Sequence, residues 1–103
     1  MMIRYLRVEW HHDFPEEPVK LYSEIDDEGY ELRKVQVFRD ERLERADAET
    51  ETAATGLSEV PIGPVEEIDA QEEFSASTIT RAEFEHIWSR AAGPGDEPGP
   101  VTR

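Results

Sequence analysis

Apolar and polar side chains alternate with a period of two in three runs between residues 3 and 39, and chain breakers separate the runs. Alternation of this kind puts successive side chains on opposite faces of a pleated strand, so it fixes an antiparallel β-sheet as the scaffold. In Ile3 to Trp10, Leu6, Val8 and Trp10 fall on one face and Ile3, Tyr5 and Arg7 on the other. His11-His12-Asp13-Phe14-Pro15-Glu16-Glu17-Pro18 cannot prolong that strand, because two prolines remove ladder donors and hold their predecessors extended. Val19 to Ile25 forms the second strand, and Asp26-Asp27-Glu28-Gly29 is a turn with glycine where a positive φ is needed. Tyr30 to Arg39 is the third strand. Asp40-Glu41 is a second tight turn, and Arg42 to Ala46 a short charged fourth strand suited to a sheet edge.

The second half of the chain changes character. Glu49 to Ser58 is polar and reads as a loop. Pro61-Ile62-Gly63-Pro64 stiffens the backbone ahead of a short helix near 65–70, where Val65 and Ile68 lie one turn apart. Thr80-Arg81-Ala82-Glu83 is a capping box, and Phe84, Ile87 and Trp88 make one apolar stripe behind it. This helix is expected to stop by Gly93-Pro94. The expected fold is therefore α+β: a four-stranded antiparallel meander with the C-terminal helix packed on one face, Phe84 and Trp88 meeting residues such as Leu21, Val35 and Val37. One domain spans residues 1–92, and 93–103 is a flexible tail rich in Gly and Pro.

Charge narrows the function. Eleven Lys and Arg face 25 Asp and Glu, a net charge of −14, which repels phosphate backbones and anionic lipid and favours cationic partners. Direct nucleic-acid binding is disfavoured, and no apolar run reaches the roughly 18 residues of a membrane span. The N-terminal residues lack an apolar stretch of signal-peptide length, so a cytoplasmic location is expected. The asymmetry along the chain is sharper than the total. Residues 46–80 contain no Lys or Arg and nine acids, whereas residues 1–45 carry eight basic and twelve acidic side chains. Glu59, Glu66, Glu67, Asp69, Glu72 and Glu73 are the candidate contacts to a cationic protein partner.

Reactive groups are sparse. With no cysteine, disulfides, thiolate metal sites and thiol nucleophiles are excluded. Glu9, His11, His12 and Asp13 cluster potential zinc or iron ligands beside Trp10, but adjacent histidines in extended backbone point to opposite sides. No metal or cofactor is expected. Ser23, His12 and Asp13 make a nominal triad, yet there is no Gly-x-Ser-x-Gly elbow and no phosphate-binding Gly-rich loop. The paired acids Glu16/Glu17, Asp26/Asp27, Glu66/Glu67 and Glu72/Glu73 are adjacent in sequence, which sends their carboxylates apart rather than into one site. Arg33, Lys34, Arg39, Arg42 and Arg45 form the basic cluster, nearly neutralised by Glu31, Asp40, Glu41 and Glu44, a pattern of cross-strand ion pairing. The expected function is non-enzymatic binding. The alternative is a small ligand-binding domain or enzyme built on Trp10, His11, His12, Asp13 and Tyr22.

Trp10-His11-His12-Asp13-Phe14-Pro15-Glu16-Glu17-Pro18, Leu21-Tyr22-Ser23-Glu24-Ile25-Asp26, Arg33-Lys34-Val35, Val37-Phe38-Arg39-Asp40 and Glu59-Val60-Pro61 together resemble an uncharacterised family of small bacterial domains. The resemblance covers roughly residues 2–90 and implies no catalytic positions. By size and charge such proteins are similar to the acidic immunity proteins that neutralise bacterial toxins, nucleases among them. The chain departs from the pattern at Glu41, Glu44 and Arg45, where glycine, glycine and an aromatic residue are expected. Glu41 is therefore expected to lengthen or alter the second hairpin turn.

Overall fold

The computed structural model describes residues 2–47, 57 and 61–96. The elements run β1 (Arg4–Trp10), β2 (Pro18–Ile25), β3 (Glu31–Phe38), β4 (Leu43–Asp47), α1 (Val65–Asp69), β5 (Phe74–Thr78) and α2 (Arg81–Asp96). All pairings are antiparallel, in the order β4-β3-β2-β1-β5. The α+β meander is as expected, but the sheet has five strands where the sequence suggested four. The added strand, Phe-Ser-Ala-Ser-Thr, has only two apolar residues and none that is buried, and it is held in the sheet by pairing with β1 rather than by its own composition. Glu49 to Ser58, the expected loop, lies almost wholly outside the described residues.

Register sorts the side chains into rows. Leu6, Ser23, Lys34 and Ala46 lie opposite one another across four strands. Leu6, Ser23, Ile25, Gln36, Phe38 and Ala46 are all buried. Rows of the opposite parity, Tyr5-Glu24-Arg33-Asp47 and Arg7-Tyr22-Val35-Arg45, belong to the face on which α2 packs. There Val35, Ile87 and Ala91 form a buried cluster bordered by Tyr22, Leu43 and Trp88. Phe84 is fully buried, its ring 5.4 Å from that of Tyr5. The expected contact with Val35 is present. Leu21 belongs to the other parity and so faces away from the helix.

The turns obey local chemistry. Asp26 Oδ1 accepts the N–H groups of Glu28 and Tyr30, and Gly29 adopts φ 95°. Gly29 also accepts the Ile62 N–H at 2.7 Å, and a Cβ there would meet Ile62 O at 2.9 Å. The β3–β4 connection spans residues 39–42, with the hydrogen bond between Phe38 and Arg42 closing a three-residue loop, Arg39-Asp40-Glu41, rather than the two-residue Asp40-Glu41 turn. Glu41 N–H bonds Phe38 C=O at 2.8 Å, Phe38 N–H bonds Arg42 C=O at 2.9 Å, and Glu41 sits at φ 73°. At Thr80 the capping box is realised: Glu83 N–H donates to Thr80 Oγ1 at 3.1 Å and Thr80 N–H to Glu83 Oε1 at 2.8 Å. Beyond it, α2 continues to Asp96, three residues past the Gly93 at which it was expected to stop.

Candidate functional site

Four of the five residues of the ligand-site reading converge. Trp10, His11, His12 and Asp13 line an open groove of about 560 Å³ together with Glu9, Val19, Lys20 and Arg39. Tyr22 is not among them; it stands on the α2 face, in a separate hollow. The histidines do structural work in this groove. Phe14 N–H donates to His12 Nδ1 at 2.9 Å, which puts the ring proton on Nε2, and Nε2–H then donates to Pro18 C=O at 2.8 Å. Both nitrogens of His12 are thus committed to closing the 11–17 connection. Its ring packs between Trp10, centroids 4.2 Å apart, and Phe14, 5.4 Å apart. His11 turns toward β5, its Nε2 2.7 Å from Ser75 Oγ and its N–H bonded to Glu73 C=O. Two adjacent imidazoles therefore grip different strands. No group of three metal-ligating side chains occurs among the described residues. Ser23 of the nominal triad is buried on the sheet face turned away from α2, donating to Glu31 Oε2 at 2.9 Å.

The acidic surface is built by α1 and the turn that follows it. Glu66, Glu67, Asp69, Glu72 and Glu73 are all exposed, whereas Glu59 lies outside the described residues. Asp69 has a structural task as well: its Oδ1 accepts the Ala76 N–H at 2.9 Å and ties α1 to β5. Among the described residues none of these five carboxylates takes part in an ion pair.

The basic cluster, in contrast, is largely matched. Arg33 forks onto Glu24, Nε to Oε1 at 2.6 Å and Nη2 to Oε2 at 2.8 Å, and reaches across to Glu85 of α2 at 2.6 Å. Its guanidinium lies 4.9 Å from the ring centroids of both Phe84 and Trp88. Hydrogen bonding to Arg33 holds the Glu24 and Glu85 carboxyls below the usual carboxylate range, and the same contacts raise the Arg33 pKa against the cost of burial. Tyr5 donates to Glu24 Oε2 at 3.1 Å, and burial raises its hydroxyl pKa. Arg42 pairs with Glu44 at 3.3 Å and lies 4.2 Å from the Phe38 ring centroid. Arg45 caps Trp88 at 4.4 Å. This network rivets the helix to the sheet.

Sequence reasoning overlooked a group at the other margin of α2. Arg7, Tyr22, His86 and Arg90 line one hollow, and Lys20 lines the adjoining one with Tyr22 and Arg90. The signal was present: Arg7 and Tyr22 share strand parity and lie directly opposite, and residues 83, 86 and 90 follow the helical spacing.

No curated protein and no solved structure matches the chain. The described residues contain no helix long and apolar enough to cross a membrane. A family model does match, over residues 4–93, nearly the whole described fold and in keeping with the resemblance to an uncharacterised small domain. The chain belongs to the family described as Domain of unknown function (DUF6881).

Proposed function

We propose that the chain is a non-enzymatic cytoplasmic binding protein that neutralises or regulates a cationic protein, of the kind exemplified by a toxin nuclease, through the acidic surface of α1 and its following turn. The observation that carries this reading is the segregation of charge. Five exposed carboxylates crowd into residues 66–73 with no basic side chain anywhere between 46 and 80, while Arg33 and Arg42 on the sheet are held in ion pairs. Such a patch accelerates encounter with a positive surface and can compete with phosphates for it. The partner is sought by affinity capture from the native cell and among proteins encoded beside this one. Capture should weaken steeply between 50 and 300 mM salt, conditions roughly spanning the screening range, and should fail with Glu66, Glu67, Glu72 and Glu73 all changed to Lys. A partner retained equally by the reversed protein would refute the reading.

A second reading is favoured by the convergence of Trp10, His11, His12 and Asp13 in one groove. With His12 bonded at both nitrogens, that groove suits ligand binding rather than proton transfer.

A further inference from the structure

We propose that the groove between α2 and the β1–β2 hairpin binds a small organic anion, a carboxylate or phosphate monoester carried on an apolar body. Two adjoining hollows make it, of about 400 and 310 Å³, sharing Tyr22, Ile87 and Arg90. Each lies within the size range of small-molecule sites, about 300–1,000 Å³.

The topology builds this groove from three directions. Arg7 and Tyr22 are cross-strand neighbours on β1 and β2. One row further along, Lys20 lies opposite Val37, which lies opposite Leu43, so the sheet supplies a cation beside an apolar floor. Helix α2 supplies the opposite wall, with Ile87 at its base and His86 and Arg90 along its margin. The helix covers Val35 and leaves this strip open, because Phe84 and Trp88 of its apolar stripe lean toward Tyr5 and Arg33.

The charge in the groove runs against that of the molecule. A chain with net charge −14 places Arg7 and Arg90 with Tyr22 in one hollow and Lys20 and Arg90 with Tyr22 in the next, and none of the three is within ion-pair distance of a carboxylate among the described residues. Two acids share the lining. Glu83 is engaged by the Thr80 N–H and hydroxyl at 2.8 and 3.2 Å, as the helix cap requires, and these contacts together with the nearby charge of Arg7 hold its carboxyl below the usual range; Glu41 stands exposed at the hairpin tip. Two guanidinium forks and an ammonium suit a planar carboxylate or a phosphate. The Tyr22 ring with Ile79, Ile87, Val37 and Leu43 suits an apolar body attached to it. The acidic surface of α1 is separate from this groove, so the present inference does not depend on the partner reading.

The test is titration of the isotopically labelled full chain at low salt, following backbone amide resonances, with phenyl phosphate, phenylacetate and inorganic phosphate as separate probes. Saturable shifts at Arg7, Tyr22, Ile87 and Arg90 are expected with at least one aromatic anion, and weaker binding of inorganic phosphate. Response to phenyl phosphate alone assigns the phosphate class, and response to phenylacetate alone the carboxylate class. The double variant R7Q/R90Q should bind about tenfold or more weakly, while R4Q/R81Q, with the same change in charge, should bind as the parent does. Arg7 and Arg90 are exposed, and R90Q alone provides the reading should the double variant misfold. Absence of saturable shifts, equal losses in both double variants, or inorganic phosphate binding as tightly as phenyl phosphate would overturn the proposal.

Discussion

Glu41→Gly should stabilise this protein, although it removes a side chain and adds none. Glu41 holds φ 73° at the close of the Arg39-Asp40-Glu41 loop, where its N–H returns to Phe38 C=O at 2.8 Å. A residue with a Cβ in the left-handed region is strained by roughly 1–2 kcal/mol. Glycine removes that strain but enlarges the conformational freedom of the unfolded chain, which costs about 0.4–1 kcal/mol. The difference is a gain centred on about 0.8 kcal/mol, within limits of roughly 0 and 1.6 kcal/mol, or a rise in melting temperature of roughly 3–6 °C at the centre for a domain near this size. Glu41 is exposed, so no burial term competes. Charge could mimic the effect, since any acid removed from a chain of net charge −14 relieves repulsion. Glu41→Gln isolates that contribution, because it keeps the Cβ and loses the charge. Thermal and urea melts of the three proteins decide the matter. If Glu41→Gly is no more stable than Glu41→Gln, the backbone at this turn is not strained and the argument fails.

The other positive-φ residue carries the opposite expectation. Gly29→Ala should destabilise by about 2 kcal/mol or more, since it adds left-handed strain to a Cβ placed 2.9 Å from Ile62 O; an unchanged urea midpoint would count against that contact. Glu24→Gln should cost roughly 1.5–3 kcal/mol at pH 7, the scale of hydrogen bonds to a charged group, through its fork with Arg33. Because Arg33 makes the folded Glu24 carboxyl the stronger acid, the folded state binds fewer protons than the unfolded chain in the acid range. The stability from this pair is complete above the ordinary carboxylate range and is lost as pH falls through the depressed folded value. Melts of parent and variant should therefore converge as pH falls below about 4, just under the unperturbed Glu value, and a gap that stays constant would refute the assignment.

The sheet was legible wherever alternation was unambiguous. β1, β2 and β3 lie within one or two residues of their expected bounds, and Thr80 caps α2 with Glu83 as the capping box requires. β5 was hidden for a physical reason. Phe74, Ala76 and Thr78 alternate, but Ser75 and Ser77 between them give no more signal than a loop would, and the strand exists because β1 offers an open edge. The candidate site was legible in part. Sequence brought Trp10, His11, His12 and Asp13 together because they are contiguous, and it misplaced Tyr22 because nearness in chain order says nothing of sheet face. The cationic groove needed tertiary contact, as Arg7 and Arg90 meet only when α2 docks. Glu85 was likewise invisible as the second carboxylate on Arg33, 52 residues away in the chain.

Pairing decides which charged groups remain available to a partner. Arg33, half-buried against two aromatic rings and forked between Glu24 and Glu85, would cost more to strip of its carboxylates than an encounter complex returns. Its role is to fix the helix on the sheet. The same reasoning applies to the histidines: breaking the His12 bonds to Phe14 and Pro18 would release the 11–17 connection, so a ligand in that groove has to accept His12 as a wall rather than as a reagent. Among the described residues, two charged surfaces offer themselves to recognition without first dismantling the fold. One is the carboxylate surface of α1, and the other is the strip of Arg7, Lys20 and Arg90 beside α2. Their opposite signs would place opposite demands on a ligand: a cationic protein is the proposed partner of the first and a small anion of the second. β1 joins them mechanically, for its Arg7 opposes Tyr22 in the groove on one side and Ser77 of β5, the strand tied to α1 through Asp69, on the other.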